Sequence, residues 1–158
     1  MSRISTCLWF EKDAEAAARL YTSVVPGSRI TRVGRAPSAY PGGAEGDVLT
    51  VEFELDGVGF MGLNGGVQEN YGNAASVMVA CDSQEEIDRV WTALTAEGGQ
   101  EIQCGWLRDR WGVPWQVFPR RMTEVIAGSD RDAARRVFES MMTMVKIDLA
   151  AIERAAAG

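Results

Sequence analysis

The side chains that most often carry acid/base or metal chemistry are scarce in this chain. Its 158 residues include no histidine, which removes the commonest metal ligand and the group that titrates nearest neutral pH. Cys7, Cys81 and Cys104 are an odd number at scattered positions, so they indicate neither a disulfide framework nor a zinc site. Cys104 could be a nucleophile, but no histidine exists to activate it, and a structural thiol is favoured. Histidine-based triads and metal sites are excluded.

The acidic side chains offer two further candidate sites. Glu52 and Glu54 alternate with apolar neighbours, which favours the solvated face of an edge strand over an acid/base pair. Glu45 and Asp47 lie in a stretch rich in Pro and Gly, 36–47, which predicts a mobile loop. Such a loop could close over a cavity and bring an acid or base with it.

Composition and charge limit the class of protein. With 46% hydrophobic and 24% charged residues, the chain can bury the core of one domain or of two small halves. A net charge of −6 leaves no basic excess to neutralise a phosphate backbone, so nucleic acid is not an expected partner. No apolar segment is long enough for a signal or a membrane span, and we expect no membrane partner and a cytoplasmic location.

The periodicity of the first half indicates the order β, α, β, β, β. Strands are predicted at 4–10, 29–33, 48–55 and 58–63. A helix is predicted to begin at Asp13, with Ala17, Leu20, Tyr21 and Val24 on its apolar face. Asp56-Gly57 is a strong signal for a two-residue hairpin between the last two strands.

The second half repeats this order. Its strands are predicted at 75–81, 101–106, 107–110 and 115–118, and Ser83 and Glu86 have the spacing of a capping box for its helix. We therefore predict an α+β fold in which two βαβββ repeats form curved mixed sheets around a cavity. The paired domain spans 1–120, with halves at about 1–66 and 74–120, and a C-terminal helical extension spans 121–158. The cavity is the default ligand site.

Several strings distributed over nearly the whole chain resemble one family. They are Leu8-Trp9-Phe10, Thr50-Val51-Glu52-Phe53-Glu54-Leu55, Leu63-Asn64-Gly65-Gly66, Gln103-Cys104-Gly105-Trp106, Trp115-Gln116-Val117 and Lys146-Ile147-Asp148. They resemble the PhnB-like branch of the glyoxalase/bleomycin-resistance/dioxygenase (vicinal oxygen chelate) superfamily. Proteins of this branch often carry the label 3-demethylubiquinone-9 3-methyltransferase.

The resemblance implies where a metal would be held. Metal-dependent members take four ligands from the first and last strands of the two halves, and overlaying the halves places Thr6, Met61, Ser76 and Gln116 there. Two hydroxyls, a thioether and an amide are a weak set for a divalent ion, so we predict neither a metal nor another cofactor. A neutral cavity with these side chains suits a small organic ligand.

Two further residues complete the predicted ligand site. Trp106 could stack on a planar ligand, or it could belong to the core or to an interface. Asn64 opens the turn Asn64-Gly65-Gly66, which could cradle an anion or simply end a strand. The amide of Gln116 could contact a ligand or be satisfied by backbone. No catalytic residue is predicted.

The tail has its own helical pattern. Ser129 and Asp132 are placed as a start signal, and Ala134, Val137, Phe138, Met141, Met144 and Val145 form an apolar stripe. A second short helix can begin at Asp148. The stripe needs a partner, either the domain's own sheet or a second subunit, and we expect a homodimer, partly from the family resemblance.

The leading functional hypothesis is a metal-independent protein that binds or sequesters a small molecule. One alternative is a metal-independent isomerase or lyase that uses Glu45 or Asp47 as acid or base. Methyl transfer, as in the family label, is disfavoured because no glycine-rich turn follows a first strand of a doubly wound sheet. A further alternative is an interaction subunit joined through its helical tail.

Overall fold

The computed structural model describes residues 3–158, which form two compact units that divide after Asn70. The first unit contains β1 (Thr6–Phe10), α1 (Ala14–Val24), β2 (Arg29–Arg35), β3 (Val48–Leu55) and β4 (Val58–Asn64). Its sheet has the order β1-β4-β3-β2, in which β1 is parallel to β4 and the other pairs are antiparallel.

Helix α1 covers one face of the first sheet. Tyr21 of α1 is fully buried, with its ring 6.1 Å from that of Phe53, and Phe53 stacks on Phe60 at 5.4 Å. The predicted hairpin is present, and Asp56 and Gly57 have φ values of 45° and 79°. Two positive φ values in succession match the right-handed twist of the flanking strands, which explains the Asp-Gly pair.

The second unit repeats the same order and then adds helices. It contains β5 (Val77–Cys81), α2 (Gln84–Thr95), β6 (Gln100–Glu101), β7 (Trp106–Arg108), β8 (Pro114–Pro119), α3 (Arg120–Ala127), α4 (Arg131–Met141) and α5 (Leu149–Ala157). The sheet has the order β5-β8-β7-β6, again with a parallel first pair, β5 and β8. The α+β fold with two βαβββ repeats and a C-terminal helical extension is confirmed.

Local capping signals explain where the helices of the second unit begin. Ser83 caps α2 by accepting a hydrogen bond from the backbone N–H of Glu86, as its spacing predicts. In α4 the cap is Asp130 rather than Ser129, and its carboxylate accepts from the backbone of Asp132 and Ala133. A carboxylate at this position is also stabilised by the helix dipole.

The C-terminal extension packs within the second unit. Its apolar side chains form one buried cluster with the end of β8, namely Phe118, Met122, Val137, Ile147 and Ile152. The backbone N–H of Leu149, at the start of α5, also donates to the Gln84 side chain at 2.8 Å. The sequence left open whether the stripe meets its own sheet or a second subunit. Val137, Met141 and Met144 of the stripe pack within the second unit, whereas Phe138 and Val145 stay exposed.

Strands β6 and β7 are shorter than predicted because the segment between them binds the extension. The backbone N–H groups of Cys104 and Gly105 donate to the carbonyls of Met144 and Val145, both at 2.8 Å. Those donors are therefore unavailable to a neighbouring strand of the sheet. None of the helices in residues 3–158 is both long and apolar enough to cross a bilayer.

Candidate functional site

On the first sheet, the face opposite α1 carries Met61 and Cys7. The two are register partners on β4 and β1, whereas Thr6 is the partner of Phe60, which faces α1. Successive residues of a strand point to opposite faces, so a shift of one residue moves a side chain to the other side of the sheet. The expectation that Thr6 lies beside Met61 is wrong by one residue, and Cys7 occupies that place.

Glu52 lies on the same face as Met61, as its register partner on β3. Only 7% of Glu52 is exposed, and its carboxylate accepts a hydrogen bond from Arg32 Nε at 2.8 Å. Glu54 is paired with Arg29 at 2.7 Å. The interpretation of Glu52 as part of an edge strand is wrong, because β3 lies between β4 and β2. This part of the face is a set of ion pairs rather than a free acid and base.

The second sheet brings three of the predicted site residues together on the face opposite α2. Gln116 Nε2 donates to Ser76 Oγ at 2.8 Å. Gln116 has Met78 and Trp106 as its register partners on β5 and β7, so these side chains share its face. We refer to Ser76, Met78, Trp106 and Gln116 as the amide–indole patch.

Each member of the amide–indole patch is at least partly exposed, and Met78 is 58% exposed. Among the interactions of residues 3–158, the Gln116 side chain is bonded only to Ser76, and the Trp106 indole N–H has no acceptor. One amide oxygen and one indole donor are therefore available to a ligand. Met78 was not predicted as a site residue, although its spacing of two from Ser76 on one strand was a usable signal.

Asn64 has a structural role in the first unit. It is 3% exposed, its Oδ1 accepts from the backbone N–H of Ala14, and its Nδ2 donates to the Val48 carbonyl, both at 2.9 Å. The side chain of Asp13 makes no capping bond to α1, so Asn64 supplies the acceptor from a distant strand. The backbone N–H groups of Gly65 and Gly66 donate to Phe10 and Glu11, as in a turn that ends a strand.

A pocket of about 310 Å³ lies beside Asn64 within the first unit. Its lining includes Lys12, Tyr40 and Asp47 together with Gly42, Gly43, Val48 and Asn64. The loop predicted to be mobile, 36–47, is closed by backbone hydrogen bonds from Ala36 to Asp47 and from Gly46 to Ala36. Asp47 Oδ2 also accepts from the Ala44 N–H at 2.8 Å. A polar pocket with both charge signs therefore lies under an ordered loop.

The donor sets of the two sheets do not fit a divalent metal. The first sheet offers the Cys7 thiol, the Met61 thioether and the Glu52 carboxylate, but that carboxylate is paired with Arg32. The second sheet offers the Ser76 hydroxyl and the Gln116 amide, which are weak ligands for borderline and hard divalent ions. Residues 3–158 also contain no group of three or more Cys, Asp or Glu side chains arranged to hold an ion.

The cysteines differ in their surroundings. Cys81 is fully buried beside the start of α2, and burial, reinforced by the Glu86 carboxylate, raises the pKa of its thiol to about 12. Cys7 is exposed and Cys104 is partly exposed. Cys104 has a φ of 62°, and its thiol donates to the Met142 sulfur at 3.7 Å. No described cysteine therefore has an activating base.

Comparisons with known proteins agree on one family. Residues 2–118 match the family described as 3-demethylubiquinone-9 3-methyltransferase. A PhnB protein of Bacillus cereus that carries this same label is 35% identical, with a TM-score of 0.65, over 73% of this chain and 98% of its own. A protein of Pseudomonas aeruginosa is 19% identical, with a TM-score of 0.60, over 75% of this chain and 98% of its own.

A glyoxylase/bleomycin resistance protein/dioxygenase domain from Frankia is also similar, at 16% identity and a TM-score of 0.45, over 74% of this chain and 94% of its own. The comparison with curated proteins gave no match. The family match and the identity to the PhnB protein cover most of the chain. The chain therefore belongs to the PhnB-like 3-demethylubiquinone-9 3-methyltransferase family.

Proposed function

We propose that this protein binds a small organic molecule at the amide–indole patch, without a metal. The observation that carries the proposal is the hydrogen bond from Gln116 to Ser76 beside the partly exposed Trp106. The bond holds the amide in one orientation, so its free oxygen faces a ligand in a fixed geometry. An indole next to an oriented amide suits a ligand with a ring and one hydrogen-bond donor.

The patch contains no ionisable group, which limits the class of ligand further. Ser76, Met78, Trp106 and Gln116 are all uncharged at neutral pH. A strongly charged ligand would lose its hydration there without gaining an ion pair. The proposed ligand is therefore neutral or carries its charge away from the ring that contacts Trp106.

The test is native mass spectrometry of the purified protein, followed by titration of any retained molecule. Trp106→Ala and Gln116→Leu should each weaken binding at least about tenfold, because a stacking contact or an amide hydrogen bond to the ligand is lost. Gln103→Leu is the matched control, since Gln103 is exposed and its side chain makes no hydrogen bond to the described residues. Unchanged binding in both patch variants would contradict the proposal.

The pocket of the first unit favours a second candidate, a metal-independent isomerase or lyase. Lys12, Tyr40 and Asp47 line it together, so a carboxylate, a phenol and an ammonium could act on one small molecule. Asp47→Asn would then abolish turnover of a substrate bound in this pocket and leave ligand binding at the amide–indole patch unchanged. Glu45, the other acidic residue considered for this role, does not line the pocket.

S-adenosylmethionine, which the family label implies, does not fit the residues present. β1 ends at Phe10 and continues through Glu11-Lys12-Asp13 to a helix capped by Asn64, so no glycine-rich turn approaches a ligand there. Both sheets are four-stranded and mixed, not parallel and doubly wound. We derive no methyl-transfer step for this chain.

The expected homodimer stays a prediction that rests on the family resemblance. Its other support, an apolar stripe in need of a partner, now applies only to Phe138 and Val145, because Val137 is buried within one chain. Light scattering coupled to size-exclusion chromatography would measure the mass directly.

A further inference from the structure

The C-terminal extension lies outside the part of the chain that matches the family. That match ends at Phe118, whereas α3, α4 and α5 follow from Arg120 onward. The PhnB relative is matched over nearly its whole length by less than three quarters of this chain. The extension is thus an addition to the paired βαβββ fold, and its position shows what it could add.

The extension covers the same face of the second sheet that carries the amide–indole patch. Met78 and Gln116 are register partners, and the next pair on that face is Ala80 and Phe118. Phe118 is buried by Ile147 and other extension residues, and Ala80 packs against the same cluster. Residues two apart on a strand lie about 7 Å from each other. The covered half of the face therefore begins immediately beside Gln116.

The extension also reaches the Trp106 side of the patch. The carbonyls of Met144 and Val145 accept from Cys104 and Gly105, which directly precede Trp106. Gly105 has a φ of 78°, and a Cβ there would meet Val117 O at 2.7 Å and Ile147 at 3.1 Å. Only a glycine lets the extension approach this closely. The extension therefore borders the patch along one edge, which runs from Ala80 through Phe118 to the residues that precede Trp106.

The bordering surface is apolar and rich in sulfur. The large apolar side chains that remain exposed in the second unit are Met78, Phe138, Met142 and Val145. Met78 belongs to the patch, Met142 contacts Cys104, and Val145 bonds Gly105 through its carbonyl. Met142 and Val145 therefore lie beside the two residues that precede Trp106, and thioethers adapt well to aromatic rings.

We infer that the extension forms a wall of the ligand site and selects a flat, largely apolar ring-bearing ligand over a short aliphatic one. This inference rests on the proposed function, because it assigns the wall of that same site. Without the extension, Phe118 and Ala80 would be exposed to solvent. The sheet would then present a wider apolar surface that discriminates less between ligands. Met142 is the specificity residue of the wall.

The experiment uses the full chain with methyl-labelled methionine and two neutral amide probes. The probes are naphthalene-1-carboxamide, which is aromatic, and hexanamide, which has the same amide group on an aliphatic chain. The aromatic probe should shift the methyl signals of Met78 and Met142 together, and hexanamide should shift neither. Met122 is buried in the extension cluster at 5% exposure and should not respond.

Met142→Gln tests the wall, and Trp106→Ala tests the site itself. Gln keeps the length of the side chain but replaces the apolar sulfur, so binding of the aromatic probe should weaken about fivefold. If Met142→Gln binds the aromatic probe with full affinity and Trp106→Ala does not, the extension is not a wall of the site, but the proposed function stands. Full affinity in both variants would overturn both. If the aromatic probe shifts neither Met78 nor Met142, the inferred preference for a flat aromatic ligand is wrong. The proposed function would still be tested separately, by measuring how a molecule retained by the purified protein binds to the patch variants.

Discussion

The two sheets have the same order of elements, but the faces opposite their helices carry different kinds of side chain. In the first unit this face carries the ion pairs of Glu52 with Arg32 and of Glu54 with Arg29. In the second unit half of the face is covered by the extension, and the other half carries Gln116 and its neighbours. Repetition of a fold therefore does not repeat its chemistry.

The reason lies in what each sheet has available to cover it. An apolar face must be buried, whereas a polar face can stay in contact with water. The first unit places arginine and glutamate on neighbouring strands, where ion pairs satisfy their charges without a covering helix. The second unit places Ala80 and Phe118 there, and these require a cover that only the extension supplies.

The largest expected change in stability comes from a substitution in the extension where it covers the second sheet. Ile147 is fully buried against Gly105, and Ile147→Ala should lower the free energy of unfolding by about 2–5 kcal/mol through lost burial and a cavity. Val145→Ala is the control, since Val145 is 41% exposed and should change stability by less than about 0.5 kcal/mol. Urea denaturation measures both. Equal stability of the two variants would show that the extension does not hold this sheet.

The next prediction compares alanine substitutions at two glycines of the second unit that have similar backbone conformations. Gly105 and Gly112 have φ values of 78° and 82°, so alanine is strained at both by about 1–2 kcal/mol. A Cβ on Gly112 meets nothing within 4 Å, whereas one on Gly105 meets Val117 and Ile147. Thermal unfolding should place Gly105→Ala below Gly112→Ala. The reverse order would contradict the close approach of the extension.

A smaller effect tests the cap of the first unit. Asn64→Ala leaves the Ala14 N–H and the Val48 carbonyl without their partner, which should cost about 1–3 kcal/mol. Asn70→Ala is the control, because Asn70 is exposed outside any strand or helix. Denaturant unfolding followed by circular dichroism reports both. If Asn64→Ala leaves the free energy of unfolding unchanged, water replaces the amide, and the Asn64 side chain is not needed for the fold and could serve a ligand instead.

The smallest effect concerns the cysteines and needs no mutation. With its pKa raised to about 12, the Cys81 thiol stays protonated at pH 8, so iodoacetamide should modify Cys7 and Cys104 before Cys81. In the unfolded state this thiol has its ordinary pKa of about 9, so it loses its proton at a lower pH than in the folded state. The free energy of unfolding therefore falls as the pH rises above about 9. Peptide mass spectrometry locates the label. Modification of all three at equal rates would contradict the burial of Cys81.

The sequence predicted the elements better than the contacts between them. The range of β3, the Asp56-Gly57 hairpin and the Ser83 cap agree with the structure. Overlaying the halves predicted both Ser76 and Gln116 as site residues, and in the structure the two are hydrogen-bonded. The same overlay misplaced Thr6 by one residue. Asn64 was considered for the site, but its bond to Ala14 joins residues fifty positions apart and left no local signal.

What the sequence determined by itself was the periodicity of each element, its turns and its caps, because these depend on neighbours along the chain. Tertiary structure alone decided that Cys7 rather than Thr6 lies beside Met61, because strand register depends on which distant residues pair. It likewise decided that the extension covers the second sheet, because an apolar stripe specifies that it must be buried but not against what.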